Sequence, residues 1–141
     1  MNNKFLIGGI IGGVVFFLLG WLIYGMLLMS TMEGSMMAGL NKPMEEFNWL
    51  FLILGQLASG FLLAYVLTKS GTSGFGGGAT VGGVLGFLMA ASFDLSLWGT
   101  SNYYTNLNGV LIDIVAGTVM VAITGGIIGL YLGSGNKTAK T

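Results

Sequence analysis

Four long apolar runs constrain this chain more than any other feature: Phe5 to Ser30, Phe47 to Thr68, Gly76 to Trp98 and Leu107 to Leu132. A helix crossing the hydrocarbon of a bilayer needs about 20 largely apolar residues, and each run supplies them. A water-soluble bundle would carry polar residues around much of each helix. Spanning strands would be runs of about ten residues with two-residue alternation. Neither pattern occurs. The sequence therefore predicts an all-α integral membrane bundle of four transmembrane helices, over about 5–30, 47–68, 76–98 and 107–132, in a single membrane domain covering 1–141.

Charge supports this reading. Only 7% of the residues are charged, against about 25% in soluble domains. The 26 glycines lie largely inside the apolar runs, where glycine permits close helix contact in lipid. With no cysteine there is no disulfide, thiolate metal site or cysteine nucleophile. With no histidine the commonest general base and transition-metal ligand is also missing. The expectation is a non-enzymatic protein with no cofactor. Five lysines, no arginine and zero net charge argue against a nucleic-acid partner.

The lysines set an expected orientation. Lys4 precedes the first run, Lys69 lies between the second and third, and Lys137 and Lys140 follow the fourth. With four spans these share one side, and Lys42 alone lies on the other. The positive-inside rule puts both termini in the cytoplasm. The first run is longer than the ~7–15-residue apolar core of a signal peptide and lacks a clear small-x-small cleavage site, so it reads as a retained anchor. Asn41-Lys42-Pro43 is expected to start the second helix, placing Glu45 and Glu46 at its positive end. Trp21, Trp49, Trp98, Tyr103 and Tyr104 read as an interface belt. The GFGGG after Lys69 lacks the lysine-serine pair and preceding strand of a phosphate loop. Ile11-Gly12-Gly13-Val14 and Val81-Gly82-Gly83-Val84 suggest a faint repeat of two hairpins.

Polar residues within the runs are few. Asp94 and Asp113 are the only acids there, separated by an uncharged loop. At 100° per residue, Gly83, Gly86, Ala90 and Asp94 share one face, as do Gly9, Gly13, Gly20 and Tyr24. Asp113 groups with Ala116, Gly117, Met120 and Thr124, beside a Gly125-Gly129-Gly133 ridge, and Gln56 stands beside Ser59 and Gly60. Small residues mark helix contacts in lipid. Asp94, Asp113, Gln56 and Tyr24 are therefore the candidate ligand or cation site, in the outer half of the membrane, with Ser30, Ser59, Ser92 and Ser96 in reach.

An ionised aspartate at mid-membrane costs about 2.5–3.5 kcal/mol on insertion scales. The two acids can both be protonated, can share one proton, or can hold a hard cation with oxygens from Gln56, the serines and Asn102, Asn106 and Asn108. The tyrosine-aspartate and glycine-x-glycine-aspartate signatures of intramembrane aspartyl proteases are missing from SFDL and LIDI. Met26, Met29, Met32, Met36 and Met37 offer soft ligands of the kind that bind Cu(I), though methionine also fills apolar gaps.

LLGWLIYG (Leu18 to Gly25), the aspartate of SFDL, and LIDI followed by GGIIG resemble the small four-span bacterial inner-membrane proteins grouped under a domain of unknown function. That resemblance implies a four-helix membrane fold and no established activity. The expected function is an accessory or structural membrane protein whose partners are the lipid bilayer and a second copy or other membrane proteins. The alternative is a small cation- or proton-coupled transporter using Asp94 and Asp113.

Overall fold

The computed structural model describes residues 3–139, with side chains as far as Ser134. Helix α1 (Asn3–Leu22) runs into a π-turn (Ile23–Leu27) and then α2 (Met29–Ser35). A 3₁₀ turn (Met44–Glu46) precedes α3 (Trp49–Lys69), α4 (Phe75–Thr100) and α5 (Leu107–Ala139). Among the described residues there is no strand, only one isolated bridge between Met36 and Tyr104. Among the described residues, four segments are long and apolar enough to cross a membrane: Asn3–Leu27, Trp49–Lys69, Phe75–Thr100 and Leu107–Ser134. The protein is an all-α membrane protein.

The spans are helical because lipid offers no hydrogen-bond partner to a bare peptide group, and because the one proline, Pro43, lies outside them. Polar residues close their ends. Asn106 Oδ1 accepts from the Gly109 amide at 3.0 Å to start α5, and Asn48 Oδ1 accepts from the Phe51 amide at 3.4 Å to start α3. Gly74, at φ 82°, turns the chain into α4 and donates its N–H to the Gly129 carbonyl at 2.8 Å. A side chain is disfavoured at that φ.

Three expected boundaries are corrected. Helix α3 begins at Trp49 and not at Pro43, because Phe47 and Asn48 are extended. Glu45 and Glu46 therefore sit in the separate 3₁₀ turn rather than at the start of α3. The expected outer loop 31–46 is helical over its first five residues, where α2 prolongs the first span. The last helix runs on to Ala139 rather than stopping near Leu132. Lys140 lies outside the described residues, as does the side chain of Lys137.

Helix α1 packs on α3, α4 packs on α5, and the two hairpins join where α1 meets α5. Helices α3 and α4 scarcely touch, so the order across the membrane is α3, α1, α5, α4. Both hairpins close on glycine. A side chain at Gly60 would collide with the backbone of Gly9, Gly12 and Gly13, and one at Gly125 with the backbone of Gly78 and Gly82. Gly12 and Gly82, the matched positions of the faint repeat, thus both meet a glycine of their partner helix. On α4 the buried ridge is Gly78, Gly82, Gly86 and Asp94. The expected face holds at Gly86 and Asp94 but was one residue off at Gly83, which is half-buried against Ala122. Gly20 has open space around it and is no packing position. One apolar core holds Phe16, Leu63, Ala64, Leu67, Ile128 and Leu132; a second, at the outer end, holds Met32, Tyr104, Val110 and Ile114.

Candidate functional site

The glycine ridge delivers Asp94 to its place. Four-residue spacing from Gly78 through Gly86 keeps one face of α4 tight against α5. Continuing that spacing through Ala90 brings Asp94 to the same interface, where it is only 3% exposed. Asp113, six residues into α5 and half-buried, faces it within hydrogen-bonding reach of its carboxyl.

Each acid receives one tyrosine. The Tyr24 hydroxyl donates to Asp113 Oδ1 at 2.7 Å, and the Tyr104 hydroxyl to Asp94 Oδ1 at 3.1 Å. Tyr24 belongs to the π-turn, where the Leu28 amide donates to the Ile23 carbonyl at 2.8 Å, five residues back. Such turns are rare and tend to occur at functional sites, because the extra residue re-aims the side chains around it. Tyr104 enters from the six-residue connection 101–106 and is 5% exposed. Asp94 Oδ2 is buried and accepts no hydrogen bond from the described residues.

A backbone clamp roofs the cluster. The Met37 amide donates to the Tyr103 carbonyl at 2.8 Å, and the Thr105 amide to the Ser35 carbonyl at 2.9 Å. Thr105 Oγ1 adds a bond to the Gly34 carbonyl at 3.3 Å. The end of α2 and the connection between α4 and α5 are thereby tied together over Asp94. Gly109 allows this, since a Cβ there would press on Ser35 and the Tyr104 ring.

Burial pushes the Tyr104 phenol above the ordinary tyrosine range, and the Asp113 and Asp94 carboxylates push it the same way. Tyr103, edge-on to Tyr104 with ring centres 4.9 Å apart, is raised first by burial and then by the same acids. The Tyr104 hydroxyl is therefore a permanent donor at physiological pH.

Of the four expected site residues, Asp94, Asp113 and Tyr24 come together. Gln56 does not join them: it sits half-buried on α3, which packs on α1, and makes no hydrogen bond to either acid. The expected hydroxyls also lie elsewhere. Ser30, Ser59, Ser92 and Ser96 are exposed, and Ser59 bonds back to the Gly55 carbonyl at 3.2 Å. Asn102, Asn106 and Asn108 are exposed too. The five methionines do not converge: Met32 and Met36 pack in the cluster of Tyr104, while Met26, Met29 and Met37 face outward.

Tyr104 is the residue the sequence reading placed wrongly. Trp21, Trp49 and Trp98 are 51%, 43% and 40% exposed, as an interface belt requires, but Tyr104 is inside. One signal for it was present. A connection this short cannot leave the rim of α4 and α5, so one of its two adjacent tyrosines must lie over the crevice holding the acids. No family model, curated protein or solved structure matches the chain.

Proposed function

We propose that this chain is a small non-enzymatic integral membrane protein that works by associating with other transmembrane helices, as an accessory or structural component. One observation carries the reading. Ser92 and Ser96, one turn apart in the outer half of α4, line a shallow groove with Leu88, Met89 and Phe93 on the face turned away from α5. A serine hydroxyl facing lipid gains a partner when another helix packs over it. Helix α4 is also the least covered span, with 17% of its apolar window buried. The occupant of the groove is a transmembrane helix, from a second copy or another membrane protein. The test is size measurement after gentle detergent extraction, with and without S92L/S96L. The wild type should run as a complex that the double variant loses. A monomeric wild type sinks the reading.

The location that goes with this reading is a bacterial inner membrane with both termini cytoplasmic. Its support is the lysines. Lys4 and Lys69 fall on one side of the four spans; Lys4 Nζ donates to the Leu132 carbonyl at 3.0 Å, and Lys69 lies 5.8 Å from the Tyr65 ring centre. The resemblance suggested by the sequence motifs LLGWLIYG, SFDL and LIDI is consistent with this location.

A second reading, a small proton- or cation-coupled transporter using Asp94 and Asp113, is favoured by one observation: a buried carboxylate oxygen without a donor beside a second acid. Ion-dependent flux in vesicles that is unchanged in D94N/D113N counts against it.

A further inference from the structure

The hydrogen-bond inventory at the acid pair leaves one place unfilled. Each tyrosine has a single O–H to give. Tyr24 spends it on Asp113 Oδ1 and Tyr104 on Asp94 Oδ1. Asp94 Oδ2 remains, buried and without a donor. A buried acceptor left in that state is destabilising, and more so if it is charged. The groups acting on Asp94 are Asp113 and Tyr104, and those acting on Tyr24 are Asp113, Asp94 and Tyr103. No lysine is among them. Two full negative charges would therefore face each other in an apolar site with no counter-ion among the described residues, which is the arrangement low-dielectric surroundings tolerate least.

We infer that Asp94 and Asp113 form a proton-binding site that holds one proton between their carboxyl groups, beside the clamp of 34–37 on 103–105. The proton fills the vacant place at Asp94 Oδ2. Whichever acid carries it donates to the other, and the pair keeps one negative charge, which the two tyrosine hydroxyls stabilise. A hard cation fits less well. Magnesium and calcium take six or more oxygens, and the remaining hydroxyl and amide side chains expected to contribute lie elsewhere. The inference deepens the transporter reading by naming the occupant, but it does not require transport, since a fixed proton also serves a purely structural site.

Infrared spectroscopy of the full chain in detergent tests it through the carbonyl stretch of protonated carboxyl groups. At neutral pH the wild type should show one such group per chain, because Glu33, Glu45 and Glu46 are exposed. D94N and D113N should each abolish it, and asparagine keeps the size of aspartate while its amide supplies the missing donor. Three results would overturn the inference: no protonated carboxyl in the wild type, a band that survives both substitutions, or a band removed by sodium, magnesium or calcium at constant pH. The wild-type spectrum decides even where a variant fails to fold. A persistent band with no proton-dependent flux rejects transport and keeps the site; flux without the band does the reverse.

Discussion

Tyr104 sits at the rim of a membrane span, yet its ring is inside the protein and its hydroxyl on a buried carboxylate. Replacing it with phenylalanine keeps the ring and removes the one donor to Asp94 Oδ1 among the described residues. A hydrogen bond to a charged group contributes about 1.5–3 kcal/mol, and Y104F should lose a stability of that order in detergent unfolding. Y24F should lose less, since Asp113 is half-buried and Asp94 almost fully so. The same tyrosine sets an alkaline limit. An unfolded tyrosine ionises near about pH 10, and burial holds Tyr104 above that in the fold. The stability tied to its neutral form is complete below about pH 10 and declines as pH rises further, because only the unfolded chain then gives up the proton readily. Thermal melts from pH 8 upward should fall more steeply in the wild type than in Y104F; equal slopes would mean that Tyr104 does not set the limit.

Among the elements, the glycine ridges are the parts least tolerant of change. Lipid gives helices no hydrophobic reason to associate, so close packing and dispersion must hold them together. At Gly125 any side chain meets the backbone of α4, which has no rotamer with which to yield. Gly125→Leu should separate α4 from α5, cost about 1–3 kcal/mol or more, and loosen Asp94 from Asp113. Gly20→Leu is the matched control, with nothing within 4 Å, and should be close to neutral. Unfolding in mixed micelles compares the two, and similar losses would refute the ridge argument. The sequence spacing found the correct ridge on α5 but chose Gly83 over Gly82 on α4. Adjacent glycines differ by 100° around a helix, and a run rich in glycine on several sides carries no polar face to break the tie.

Across the whole molecule, the row α3, α1, α5, α4 places the acid pair near the rim of the α4–α5 hairpin and leaves α3 remote from it. That explains why Gln56, level with the other polar residues by count of turns, does not join them: depth follows from the 1.5 Å rise per residue, but lateral position depends on which helices are neighbours. Orientation is testable at this scale. A single cysteine at Asn102 should react with an impermeant thiol reagent in intact cells, and one at Thr72 only after lysis; the opposite pattern would invert the topology. The number of spans, their helical state and the rarity of charge within them could be read directly from the chain, because apolar length and the need to satisfy every peptide group in lipid are local properties. That two acids would lie near one membrane face was legible for the same reason. Only the tertiary structure decided that Tyr104 turns inward, that the π-turn aims Tyr24 at Asp113, and that residues 34–37 clamp 103–105 above them. Those contacts join residues as far as 89 positions apart, and they depend on which helix faces pack together, which in a chain apolar on every side is set by fit rather than by hydrophobic pattern.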